Sequence, residues 1–154
     1  MKKKILLITL YGLLFDQIIK FLVSKYITNV TIIPNFISLI YAENDGVAFS
    51  MLSGSRIIII IISILLLSFL AYYMNKDYVS KKKDDILMDV SYGLLFGGIL
   101  GNLLDRIIRG IVIDYISINI IGYHFPIFNL ADVMITIGVI IMIIRTLKSE
   151  SKNT

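Results

Sequence analysis

Four long apolar runs divide the chain: Ile5 to Val23, Ile57 to Tyr73, Ile86 to Leu104 and Phe128 to Ile144. Each approaches the ~20 residues that a helix needs to cross the ~30 Å hydrocarbon core of a bilayer. Helices are therefore expected at approximately 5–24, 56–73, 86–106 and 127–145. Two stretches between them have another pattern. Thr31 to Tyr41 is rich in β-branched and aromatic residues, with Pro34 favouring an edge position, and predicts a short strand or hairpin. Asn44-Asp45-Gly46 then marks a turn, and Val47 to Leu52 is an apolar piece suited to a short surface helix. Ile111 to Ile121 alternates in part and reads as a second strand.

Composition turns this pattern into a class. Hydrophobic residues make up 57% of the 154 residues, and the mean hydropathy is +0.86, too apolar for an ordinary soluble domain of this length. The first run, with Lys2, Lys3 and Lys4 before it, could also be read as a cleavable signal peptide, but a spanning helix is the expectation, since no A-x-A site follows and the run continues through Asp16 and Lys20. Lys and Arg concentrate on one side of the expected spans. Ten of them (Lys2, Lys3, Lys4, Lys76, Lys81, Lys82, Lys83, Arg145, Lys148 and Lys152) face four (Lys25, Arg56, Arg106 and Arg109). By the positive-inside rule both termini lie in the cytoplasm. The net charge of +4 thus reflects topology, not a nucleic-acid surface. The expectation is a mainly α membrane protein, a single domain over 1–154, with four transmembrane helices, a small extracytoplasmic β-sheet and a short surface helix. The second apolar run, Ile57 to Tyr73, has no Asp, Glu, Lys, Arg or His and reads as scaffold. Asp84, Asp85 and Asp89 suit the N-terminus of the third.

Candidate chemistry is restricted. The chain has no cysteine and one histidine, His124, so thiol nucleophiles and disulfides are excluded and a His-rich metal site or Ser/His pair has no support. Neither a metal nor an organic cofactor is expected. Ionisable residues near lipid are functional candidates by default, and four acids converge on the outer half of the bundle: Asp16, Asp105, Asp114 and Asp132. Asp16 has Lys20, and Asp105 has Arg109, at the i+4 spacing of helix ion pairs, with Arg106 adjacent. The Asp16–Lys20 pair serves either to neutralise itself or to position a neighbouring backbone or substrate. Gly98, Asn102, Asp105 and Arg109 share one helix face. Gly93, Gly97 and Gly101 repeat at i+4, a close-packing pattern. Asp114 and Asp132 lack a base at i±3 or i±4. Brought together, they would share one proton, one carboxylate activating water and the other acid donating, which is what amide hydrolysis needs without a metal. Asn129 is a possible helix cap, with Pro126 near the first turn and Asp132 within it. A transporter would place an acid near the midplane but would not gather acids at one end.

The set Asp16-x-x-x-Lys20, Asn44-x-Gly46-x-Ala48-Phe49, Gly101-Asn102-x-x-Asp105-Arg106, Val112-x-Asp114 and Phe128-Asn129-x-Ala131-Asp132 resembles the lipoprotein signal peptidases, or signal peptidase II family, along essentially the whole chain. Val47, where many members have alanine, and Tyr115, where phenylalanine is also frequent, are minor departures. The resemblance implies an intramembrane aspartic endopeptidase of the bacterial plasma membrane. It would remove the signal peptide of a diacylglyceryl-modified prolipoprotein by cutting on the N-terminal side of the lipidated cysteine. It implies Asp114 and Asp132 as the catalytic pair, with Asp16, Lys20, Asn44, Gly46, Asn102, Asp105, Arg106, Asn129 and Ala131 as supports. It also implies a site near the extracytoplasmic face, membrane lipid as surroundings and globomycin-type cyclic peptides as inhibitors. A monomer is expected, with no nucleic-acid partner.

Overall fold

The computed structural model describes residues 3–46, 51–80 and 85–150. In chain order the elements are α1 (Lys3–Tyr26), β1 (Asn29–Ile33), β2 (Ile37–Asn44), α2 (Arg56–Ser80), α3 (Ile86–Ile108), β3 (Val112–Ile120), β4 (Tyr123–His124) and α4 (Leu130–Glu150). All four helices are long and apolar enough to cross a membrane. Their helical ends run into the polar flanks that hydropathy alone leaves out.

The third helix is the core. Two thirds of its apolar window (67%) is buried within the protein, against 17–22% for the others, so α1, α2 and α4 pack around it and turn their remaining surface outward. Glycine makes the approach close. A Cβ on Gly93 would lie 2.7 Å from the Ile8 side chain, and one on Gly101 would lie 2.6 Å from Asp16 Oδ2. The glycine stripe therefore faces α1, whereas Gly98 faces α4, where a Cβ would lie 2.5 Å from the Ala131 carbonyl oxygen. Ala131, fully buried at this crossing, must itself stay small. At the far end Asp85 caps α3 by accepting from the Met88 amide (3.3 Å) and pairs with Arg145 of α4. Asp89 is in the first turn; Asp84 lies outside the described residues.

At the other end of the bundle the connections form an antiparallel sheet in the order β1-β2-β3-β4. Pro34 lies in the turn joining β1 to β2, not within a strand, and Asn35 takes the positive φ (58°) that the turn requires. The two-residue β4 pairs Asn119 with His124 and Ile120 with Tyr123. The fourth helix begins at Leu130, later than hydropathy marks, because Phe128 is held as an isolated bridge to Ile116. The Phe128 carbonyl accepts from the amides of Tyr115 (3.0 Å) and Ile116 (2.8 Å). Pro126 is accordingly outside the helix. The surface helix expected over Val47 to Leu52 falls mainly on residues 47–50, outside the described residues; Met51 to Gly54 form a turn.

Candidate active site

The start of α4 sets the position of Asp132. The first amides of a helix lack intrahelical partners, and here side chains from three elements supply them. Tyr115 Oη of β3 accepts from the Leu130 amide (3.1 Å), and Asp16 Oδ1 of α1 accepts from the Ala131 amide (3.1 Å). Asn129 Oδ1 accepts from the Asp132 amide (3.0 Å), while Asp132 Oδ2 accepts from the Asn129 amide (3.1 Å). This last pair is a reciprocal N-cap. The cap and first-turn positions read for Asn129 and Asp132 are those the structure shows. The Asp16–Lys20 pair does position a neighbouring backbone, that of α4.

Lys20 is fully buried and spends its three donors on three partners: Asp16 Oδ2 (2.9 Å), Asp105 Oδ2 (2.8 Å) and Asn102 Oδ1 (2.9 Å). Asp105 also pairs with Arg109. The lysine fixes the Asn102 amide, because with Oδ1 turned to the cation Nδ2 must point the other way, where it donates to Asp132 Oδ1 (2.8 Å). Gln17, which sequence spacing gave no reason to select, ties the cluster together. Its Nε2 donates to Asp16 Oδ2 (3.2 Å), Asp105 Oδ1 (3.1 Å) and the Gly101 carbonyl (3.3 Å), and its Oε1 accepts from Arg109 (3.1 Å).

Asp114 arrives from the start of β3. Its Oδ1 accepts from Asn129 Nδ2 (2.6 Å) and its Oδ2 from Asn44 Nδ2 (2.8 Å). Asn44 is fixed in turn, since its Oδ1 accepts from the Gly46 amide (2.9 Å), and the Gly46 carbonyl accepts from Arg106 Nη2 (2.5 Å). Asn129 Nδ2 also donates to Asn102 Oδ1 (3.1 Å). Two asparagine amides thus join the carboxylates of Asp114 and Asp132 across 17 intervening residues. Burial, followed by the neighbouring Asp132 charge, pushes the Asp114 carboxyl up to about 6, against the lowering effect of the Asn44 and Asn129 hydrogen bonds. Adjacent Tyr115 is pushed up to about 12, chiefly by burial. Glu43 and Asp45 are exposed, as read. Asp45 accepts from Ser53 Oγ (2.6 Å) and the Gly54 amide (3.1 Å), and the serine bond holds its carboxyl below the usual range.

Both carboxylates open onto one cavity of about 410 Å³, shared by Asn44, Asn102 and Arg106. Its apolar wall corrects the reading of the second helix as scaffold: Ile59, Ile62, Ser63 and Leu66 of α2 line it opposite Ile135 and Thr136 of α4. Among the described residues no group of three His, Cys, Asp or Glu side chains could hold a metal ion. A pair of carboxylates beside a mainly apolar cleft suits water-mediated hydrolysis of a bond presented by an apolar segment.

A family model described as signal peptidase (SPase) II matches residues 8–148. Lipoprotein signal peptidases of Staphylococcus aureus strains JH9 and Newman are each 41% identical over 149 residues, 95% of this chain and 89% of theirs. Two solved structures, described as bacterial membrane enzymes determined by the in meso method at 2.3 and 1.9 Å resolution, are also similar. The first has a TM-score of 0.86 at 37% identity, covering 97% of this chain and 91% of its own. The second has 0.80 at 38% identity, covering 94% and 92%.

Proposed function

The chain belongs to the signal peptidase II family, and from that premise we propose that it is an intramembrane aspartic endopeptidase acting on diacylglyceryl-modified prolipoproteins. The bond cut is the one on the N-terminal side of the lipidated cysteine. One observation carries the aspartic assignment: Asp114 and Asp132, on separate elements, are joined through Asn129 and Asn102 and open onto the same cavity.

Asp132 serves as the base of the resting pair, because it lies in the first turn of α4, where a helix N-terminus favours negative charge. Asp114, raised to about 6 by burial, holds the shared proton. Asp132 removes a proton from water as the hydroxyl oxygen bonds to the scissile carbonyl carbon, and Asp114 protonates the carbonyl oxygen. In the second step Asp132 returns its proton to the leaving nitrogen, the C–N bond breaks, and Asp114 recovers a proton from the diol. Acid and base have then exchanged roles and the pair is reset. Asp16, Lys20, Asp105 and Asn102 orient Asp132; Asn44, Gly46 and Arg106 orient Asp114; Ala131 permits the close crossing of α3 and α4.

Apolar side chains of α2 and α4 receive the signal segment and acyl chains, so membrane lipid is the medium from which substrate enters. Globomycin-type cyclic peptides compete for this cleft, and the enzyme acts as a monomer. The charge asymmetry supports cytoplasmic termini in the plasma membrane and a site near the extracytoplasmic face. The test is cleavage of lipidated and unlipidated prolipoprotein by purified wild type, Asp114→Asn and Asp132→Asn. Cutting of lipidated substrate alone, reduced by about 10⁴-fold in each folded variant, is expected. Cleavage surviving both substitutions would assign the chemistry elsewhere.

A further inference from the structure

The end of the sheet farthest from Asp114 has a composition unsuited to water. The turns of both hairpins meet there: Ile37 pairs with Ile118, and the Asn119 amide donates to the Phe36 carbonyl (2.9 Å). Ile33, Phe36, Ile120, Ile121, Tyr123 and Phe125 are all exposed, and Tyr123 and Phe125 form an edge-on ring pair at 5.3 Å. Residues 26–42 and 115–131 contain no Asp, Glu, Lys or Arg. The tip of the β3–β4 hairpin is strained as well. Ile121 (φ 51°) and Gly122 (φ 82°) both take positive φ, the pattern of a type I′ turn, for which asparagine is the usual first residue and a β-branched one is an outlier. Ile121 is nonetheless wholly exposed. In water this side chain brings strain and gains no burial.

We infer that this uncharged rim, centred on Ile121, is a membrane anchor that rests in the acyl boundary of the leaflet on the sheet side. Lipid is favoured over a protein partner by continuity. The segment containing β3 and β4 leaves the end of α3 and returns to the start of α4, both membrane-spanning helices, so both of its ends are held at the bilayer surface and its tip lies within a strand length of it. An uncharged rim of tyrosine, phenylalanine and isoleucine has the composition of an interfacial belt. Depth is limited, because β1 is an edge strand whose free backbone groups do not enter hydrocarbon; only side chains go in. Asp114 and Ile120 lie on one strand, about 20 Å apart at the usual rise per residue. Anchoring the tip therefore fixes the tilt of the strand that carries Asp114. This consequence rests on the peptidase reading; the anchor itself does not.

The absence of cysteine allows a direct test. Ile121→Cys in the full chain, carrying an environment-sensitive fluorophore, is reconstituted in phosphatidylcholine/phosphatidylglycerol vesicles. Quenching by lipids with shallow nitroxides, and protection from aqueous iodide, are expected. Full iodide quenching would overturn the anchor, and so would protection from both quenchers, since a protein surface would then cover the rim. A second variant, Ile121→Asn, relieves the turn strain and so keeps the fold. Its apparent KM for lipidated substrate should rise about tenfold in vesicles and stay unchanged in detergent. No change in vesicles, or an equal loss in detergent, would refute the link to the active site. If the wild type cuts no lipoprotein, the peptidase reading fails while the quenching still decides the anchor.

Discussion

Replacing Lys20 by methionine removes the one cation shared by Asp16 and Asp105 while keeping the length of the side chain. In the native cluster two carboxylates, Asp16 and Asp105, balance Lys20 and Arg109. Without Lys20 two fully buried acids are left with one arginine. Breaking a buried pair from one side costs about 3–5 kcal/mol, because the remaining charge has lost its compensation. For a domain of this length each kcal/mol lowers Tm by about 2–4 °C, so Lys20→Met should melt about 6–20 °C below wild type. The loss is one of charge balance, and a second substitution tests that. Asp16→Asn added to Lys20→Met leaves Asp105 with Arg109, restores neutrality and keeps an oxygen for the Ala131 amide, so most of the lost Tm should return.

Activity should not return with stability. Lys20 also holds Asn102 Oδ1, and through it the Asn102 amide that donates to Asp132. Once that donor is gone, Asn102 Oδ1 keeps only the longer bond from Asn129 Nδ2 (3.1 Å), the amide is held less firmly, and weakening of its charge-assisted hydrogen bond to Asp132, worth about 1.5–3 kcal/mol in full, should slow cleavage by up to about 10- to 100-fold. The assays are thermal unfolding in detergent and cleavage of lipidated prolipoprotein for wild type and both variants. A Tm within about 2 °C of wild type for Lys20→Met, or full activity in the doubly substituted protein, would refute the reasoning.

The Asp114 carboxyl, raised to about 6, makes kcat/KM fall as pH rises through the upper limb of a bell-shaped profile, where the shared proton is lost. Because the Asn44 hydrogen bond lowers this carboxyl, Asn44→Leu should displace the upper limb to higher pH in a rate profile, while lowering the maximum. The same raised value means that the folded state binds more protons than the unfolded chain between pH ~4 and ~6, so the contribution of Asp114 to stability declines as pH rises across that window; denaturation midpoints of wild type and Asp114→Asn across it should converge toward acid. Gly101→Ala puts a methyl where Asp16 Oδ2 lies and should cost about 1–3 kcal/mol, read as a lower Tm together with reduced cleavage. Tyr115→Phe leaves the Leu130 amide without its partner and should lower Tm by a similar amount, about 1–3 kcal/mol in stability.

What could be read from the sequence is what physics keeps local. Hydropathy over a helix length marks the spans, and residue type marks Asn129 as a cap with Asp132 in the first turn, since each depends on residues within one element; that the two cap each other reciprocally is visible only in the structure. The i+4 rule found the Asp16–Lys20 and Asp105–Arg109 pairs for the same reason. It could not show that Lys20 serves Asp105 as well, or that Asp16 caps a helix 115 residues away, because helical spacing counts only partners on the same helix. Phe128 was assigned to the fourth helix by its apolar neighbours, whereas its backbone is taken by β3, a competition that hydropathy does not register. The second helix carried no chemistry to mark it, so its isoleucines gave no sign of facing a cleft and not lipid. Gln17 is the instructive omission. A neutral amide beside an acid is unremarkable in sequence, yet only a residue with both donors and an acceptor can bond two carboxylates and a guanidinium at once. Where acids and bases on two helices must be shared, a glutamine one turn from the basic partner, as Gln17 is from Lys20, is the signal to seek.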